Sequence, residues 1–248
     1  MHRSDKIQVF DKALAVLDLR AGEKQAVLDI GCGTGELLGR LAQVVRNDSK
    51  LIGLDALERS IAQAKTDHPN VEFICYKFDD RLPFPDKLFD VVVSIDTIEC
   101  IKNKQALLSE IHRVLKPCGK VLAMHWDWDT QTYSVKNKNL ARKAVWAFSD
   151  WKQPWMDDCD GQMGRKLWGL FEGSNKFHGR PDTFCLLETK FEPGHYGFDR
   201  MQDLAALVSP ANVDQEDYEA LKSELSESHA NGQYLYSVTS FIYLGQKI

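Results

Sequence analysis

The stretch Ala26 to Gly35, AVLDIGCGTG, constrains this chain more than any other. The apolar run Ala26-Val27-Leu28 leads through Asp29 and Ile30 into a turn with glycine at 31, 33 and 35, and Glu36-Leu37-Leu38 follows. That order predicts a buried strand, a tight loop and the start of a helix. Glycine accepts positive φ and lets backbone approach a ligand closely. The first turn of the following helix offers N–H groups that have no partner within the helix. Such loops suit nucleotide-like ligands, and the spacing narrows the type. Counting from Gly31 gives G-C-G-T-G-E and from Gly33 gives G-T-G-E-L-L, neither of which is the G-x-G-x-x-G of dinucleotide sites. No Lys-Ser or Lys-Thr pair follows the loop, so it is not a phosphate-binding P-loop.

Strand patterns at 26–30, 50–55, 71–76, 89–95 and 121–124 alternate with helical stripes such as Leu37, Leu38, Leu41, Val44, Val45 and Leu107, Leu108, Ile111, Val114, Leu115. A further amphipathic helix over 5–19 leads into the first strand. This alternation predicts a doubly wound parallel sheet. The second strand ends in Asp55, 20 residues beyond Gly35. A βαβ unit places that acid beside the first loop, where it can accept two hydrogen bonds from ribose hydroxyls. Its alternative role is to cap the helix expected at 57–65.

Asp29, Gly31, Gly33 and Gly35 together resemble the first motif, D-x-G-x-G-x-G, of class I S-adenosylmethionine-dependent methyltransferases. Three later segments resemble the same family in the right order. These are Leu82-Pro83-Phe84-Pro85-Asp86 with Phe89-Asp90, then Ser94, Asp96 and Glu99, then Arg113 to Gly119 with Cys118 in place of a glycine. The resemblance covers residues 22–125 and is closest to the ubiquinone/menaquinone-biosynthesis type. It implies a Rossmann-like doubly wound sheet of seven strands, mostly parallel with an antiparallel last strand. It implies S-adenosyl-L-methionine as cofactor, held by Asp29, Gly31, Cys32, Gly33, Gly35, Asp55, Ala56, Phe78, Asp79, Asp80, Ser94 and Ile95. Two departures stand out. The acid that usually meets the adenine amino group falls on Lys77 or Phe78, so Asp79 or Asp80 takes over, with Phe78 against the ring. Cys100 stands where a histidine is common.

Beyond Met124 the composition changes, and all six tryptophans lie within 43 residues, from Trp126 to Trp168. The chain divides accordingly into an N-terminal helix with a cofactor-binding core (1–125), a Trp-rich helical lid insertion (126–180) and a final segment (181–248). The last holds two strands, the first of them at 183–190, and an inserted helical pair. A small insertion needs large side chains to bury enough area, so most of the tryptophans are expected in the lid's own core. Trp126 and Trp128, nearest the strand end, are expected to face substrate together with Asp96 and Tyr133. The acceptor's proton, where it has one, calls for a base. His125 at the end of the fifth strand, Glu99 after the fourth and His195 after the sixth are the candidates. Asp157, Asp158 and Asp160 read as solvated surface, and no metal site is expected.

A net charge of −5 argues against nucleic acid, and no apolar run is long enough to span a membrane. The N-terminus has no apolar h-region, so no signal peptide is expected. The six scattered cysteines read as reduced, mostly buried thiols of a cytoplasmic protein. The expected function is methyl transfer to a small-molecule acceptor with an N, O or S nucleophile. A protein methyltransferase and a non-catalytic cofactor-binding regulator are the alternatives. Oligomeric state is not legible.

Overall fold

A computed structural model describes residues 4–19, 22–209 and 213–248. Residues 1–3 of the expected first segment lie outside the described residues. In chain order the elements are α1 (Ser4–Leu17), β1 (Ala26–Ile30), α2 (Glu36–Val44), β2 (Lys50–Asp55), α3 (Glu58–Asp67), β3 (Glu72–Cys75) and β4 (Phe89–Ile95). There follow α4 (Lys104–Val114), β5 (Leu115–Tyr133), α5 (Lys138–Ser149), α6 (Met163–Glu172), β6 (Phe177–Glu188), α7 (Tyr196–Leu204), α8 (Gln215–Ala230) and β7 (Tyr236–Lys247). The strands form one seven-stranded sheet in the order β3-β2-β1-β4-β5-β7-β6. β1 to β5 are parallel, and β7 runs antiparallel to both its neighbours. This is the Rossmann-like sheet that the sequence leads one to expect.

The sheet is apolar on both faces because helices cover both. Successive side chains of a strand point to opposite faces, and the core divides accordingly. Val27, Val91, Val93, Leu122 and Met124 pack on the face covered by α1, α2, α5, α7 and α8. Leu28, Val92, Val121 and Ala123 pack on the face of α4 and α6. Hence β4 reads as an unbroken apolar run. The crevice at the carboxyl ends of β1, β2, β4 and β5 is where an open sheet of this kind binds ligands.

The largest departures from the sequence expectation follow Met124. β5 does not stop there but pairs with β7 as far as Tyr133, so Trp126 and Trp128 sit on a strand. β6 begins at Phe177, ahead of the strand expected at 183–190. Helix α6 packs on the α4 face, with Phe171 stacked on Tyr243 at 4.5 Å, and so lies behind the sheet rather than over the crevice. Its docking is tight. A Cβ on Gly164 would stand 2.8 Å from the His125 carbonyl oxygen. Trp146, Trp155 and Trp168 are 61%, 45% and 44% exposed, so they form no core of a separate lid. Cys75, Cys118 and Cys185 are exposed, against the expectation of mostly buried thiols. Among the described residues no helix is long and apolar enough to cross a membrane.

Candidate active site

The glycine loop closes on β2. Gly31 and Cys32 donate to the Leu54 carbonyl at 2.8 and 2.9 Å, and Gly33 donates to Asp55 Oδ2 at 2.9 Å. Gly31 and Gly35 take φ of 80° and 79°, and their missing Cβ atoms would overlap Thr97 and Phe73. At Gly33 a Cβ would meet nothing within 4 Å. Its bare backbone therefore faces open space on the cleft side of the loop. The second carboxylate oxygen of Asp55 accepts from Leu57 N at 2.8 Å. The acid is thus fixed between the loop and the entry to α3, and each oxygen keeps a lone pair for a further donor. It does not cap the N-terminal turn of α3, whose capping residue makes no side-chain bond. Behind the loop, burial and then the neighbouring Asp55 push the Asp29 carboxyl up to about 7.

A cleft of about 1060 Å³ opens from this loop. It brings together Asp29, Gly31, Cys32 and Gly33 with Asp55, Ala56 and Ile95, as expected from the sequence. Phe78, Asp79 and Asp80 line it beside them; the Tyr76 hydroxyl donates to Asp79 at 2.9 Å. The other end is walled by Asp96, Glu99, Trp126 and Trp128. Helix α1 adds Val9 and Phe10 to the wall. Five expected site residues do not line the cleft. Gly35 is turned onto Phe73 and closes the loop. Ser94 is buried and gives its hydroxyl to the Ile30 carbonyl at 3.1 Å. Tyr133 lies at the far end of β5 against Tyr236, with ring centroids 5.0 Å apart. His195 precedes α7 with Nδ1 3.3 Å from Glu188 Oε1.

The fifth, His125, is 1% exposed and stands behind the wall. On a strand, His125 and Trp126 must face opposite ways, and Trp126 packs towards the cleft-side aromatics. The Trp126 carbonyl accepts from His125 Nδ1 at 2.9 Å. Nε2 has no hydrogen-bond partner and lies 3.8 Å from Glu99 Oε2. Asp96, at φ 53°, accepts from Trp126 N at 3.1 Å. Glu99 is 5% exposed and accepts from Trp128 Nε1 at 3.3 Å. Burial raises its carboxyl above the ordinary range, partly countered by His125. Burial also pushes the Cys100 thiol up, which makes it a poor nucleophile.

Two parts of the wall escaped the sequence reading as individual residues. α7 presents Tyr196 and Arg200, and the segment after α5 presents Gln153, Trp155, Met156 and Asp157. That segment is tied across the opening. Asp157 pairs with Lys77 at 2.8 Å, and Asp158 pairs with Lys104 at 2.7 Å. Lys104 also donates to the Ile101 carbonyl at 2.9 Å. The buried Asp127 holds Arg165 through two oxygens, and Asp160 holds Lys166. Asp127 therefore ties α6 to β5. Among the described residues no three His, Cys, Asp or Glu side chains converge as a metal site.

A sequence model described as a methyltransferase domain matches residues 21–165, more than half of the chain. The chain belongs to the class I S-adenosylmethionine-dependent methyltransferase family. Demethylmenaquinone methyltransferase of Bacillus mycoides is 30% identical over 181 residues, covering 71% of this chain and 73% of that one. 27-O-demethylrifamycin SV methyltransferase of Amycolatopsis mediterranei is 32% identical over 116 residues, 45% of this chain and 41% of its own length. Among solved structures, the YcgJ protein of Bacillus subtilis superposes with a TM-score of 0.59 over 96% of this chain and 97% of its own, at 18% identity. That likeness is one of fold. This methyltransferase-family chain spans 37% to 63% of the length of the first curated relatives it matches.

Proposed function

We propose that the chain transfers the methyl group of S-adenosylmethionine to a small-molecule acceptor held at the aromatic end of the cleft. One observation carries this reading: a single cleft joins the glycine loop and Asp55 to the wall of Trp126, Trp128 and Glu99. The loop end fits a nucleoside. The open space beside Gly33 admits a ligand against the backbone, and Asp55 keeps its remaining lone pairs for two sugar hydroxyls. Phe78 offers a ring face to the adenine, with Asp79 and Asp80 as acceptors for its amino group. Asp29 and the backbone of 31–33 would meet the amino-acid end.

When bound, the cofactor supplies a methyl carried on positively charged sulfur. The chain's own residues then have three tasks. Trp126 and Trp128 orient the acceptor in line with that carbon, which is where most of the rate advantage of such a transfer arises. The segment 153–158, latched by Lys77 and Lys104, limits water at the opening. Glu99 accepts a proton from an acceptor that arrives protonated, and His125 Nε2, 3.8 Å from its carboxylate, stands behind it. His125 acts through Glu99, and His195 has no part in the transfer.

Calorimetry with S-adenosylhomocysteine tests the cofactor half, and Asp55→Ala is the decisive variant. Losing two charge-assisted hydrogen bonds weakens binding by about 10²-fold. An affinity left untouched, or no uptake by the wild-type chain, would remove the proposal. Methyl transfer from labelled cofactor to a panel of amines, phenols, thiols and carboxylates tests the acceptor half. Incorporation into protein substrates instead would replace the small-molecule reading.

A further inference from the structure

The cleft carries a cation that methyl transfer does not in itself require. Arg200 lines it from α7, with its side chain 15% exposed. The guanidinium lies over the Tyr196 ring, Cζ 4.6 Å from the centroid, and 5.6 Å from that of Phe148. Nη2 is held by Asp203 at 2.5 Å, while Nε is buried and has no hydrogen-bond partner. A guanidinium presents five N–H donors in a rigid fork that matches two oxygens of one anion. One carboxylate on one nitrogen leaves most of that fork unused. Arg200 therefore brings to the cleft a cation whose donors the protein pairs only in part.

The opposite charge stands at the other side of the same aromatic wall. Trp128 stacks on Tyr196 with centroids 6.4 Å apart and planes 6° from parallel, and its Nε1 donates to Glu99. Trp126 packs on both rings, at 6.3 and 5.5 Å. An apolar aromatic surface therefore runs between a guanidinium and a carboxylate pair, Glu99 and Asp96. Aromatic faces and carboxylates both favour a cation at that second end, and a phenolate there would be repelled.

We infer that the acceptor is a small zwitterion. It is an amine that carries an anionic oxygen group, with the nitrogen at Glu99 and the anion on Arg200. The assignment rests on the methyl-transfer reading of this cleft. The step balances. The ammonium gives one proton to the Glu99 carboxylate, and the freed nitrogen pair forms the N–C bond. The S–C bond breaks with its electron pair staying on sulfur. The product is a secondary ammonium, which keeps its charge over the aromatic wall.

The test compares matched pairs of amines with and without an anionic group: β-alanine with propylamine, phenylalanine with phenethylamine, and aminoethyl phosphate with ethylamine. Phenol and catechol serve as oxygen acceptors. The wild-type chain should prefer the anionic member of at least one pair by about 10²-fold in kcat/KM. Arg200→Gln should cut that ratio at least tenfold, and Arg200→Lys, which keeps the charge but not the fork, by less. S-adenosylhomocysteine affinity should stay the same in all three proteins, and their thermal unfolding reports that they fold. A wild-type ratio near one overturns the inference. So does a ratio that Arg200→Gln leaves unchanged, and so does turnover of the phenols or of no amine by a chain that binds the cofactor product. A wild-type chain that fails to bind S-adenosylhomocysteine removes the methyl-transfer reading itself, and this one with it.

Discussion

Burial makes Glu99 a better base than an exposed carboxylate. Its raised pKa comes first from desolvation, and only its ionised form can take a proton. Turnover should therefore climb with pH through a window above the ordinary carboxylate range, as Glu99 loses its proton. Glu99→Gln should abolish that limb and lower kcat by about 10²–10⁴-fold, with S-adenosylhomocysteine affinity unchanged by calorimetry. Equal losses in both would make Glu99 a structural residue. At this scale the loop end of the cleft was legible because the spacing of Gly31, Gly33, Gly35 and Asp55 is local chemistry: backbone conformation and one βαβ unit decide it. The aromatic end was legible only in part. His125 was placed at the right strand end but on the wrong face, since Trp126 takes the cleft side. Arg200 gave no signal, because a lone arginine on an amphipathic helix reads as surface until the fold lays it on Tyr196.

Element by element, the parallel strands of the first half announced themselves through apolar runs, whereas β5 beyond Met124 did not. The run His125-Trp126-Asp127-Trp128-Asp129 looks like a polar exit from the sheet. Asp127 is in fact fully buried, its charge met by Arg165 on α6. Pairing with a distant cation is invisible in a local window, and it turned a strand into an apparent loop. The same contact seats α6 behind the sheet. Gly164 is the close-approach point, with the Asp127 amide 3.0 Å and the His125 carbonyl 2.8 Å from its would-be Cβ. Gly164→Ala should therefore destabilise the protein by about 1–3 kcal/mol through this overlap, against a helix-propensity gain of about 1 kcal/mol. A denaturation midpoint shifted downward is the expected readout. A midpoint shifted upward would mean that α6 moves freely from β5.

Across the whole molecule, β6 joins the sheet only through β7, in the order β5-β7-β6. The twelve-residue ladder between them runs from Phe177–Lys247 to Glu188–Tyr236. Pulse-labelled hydrogen exchange during refolding should find the amides of 177–188 protected late, together with 236–247 and after those of β1 and β4. Early protection of β6 would require a partner that the native sheet does not give it. A ribosome making this protein must deliver 48 further residues, from Glu188 to Tyr236, before β6 has its neighbour. At about 5–20 residues per second the nascent chain then waits for several seconds with an unmatched strand in hand. For that interval β5 and β6 both present an edge that β7 is to cover, so mispairing between them, or with a second unfinished copy on the same messenger, is where this architecture is most exposed.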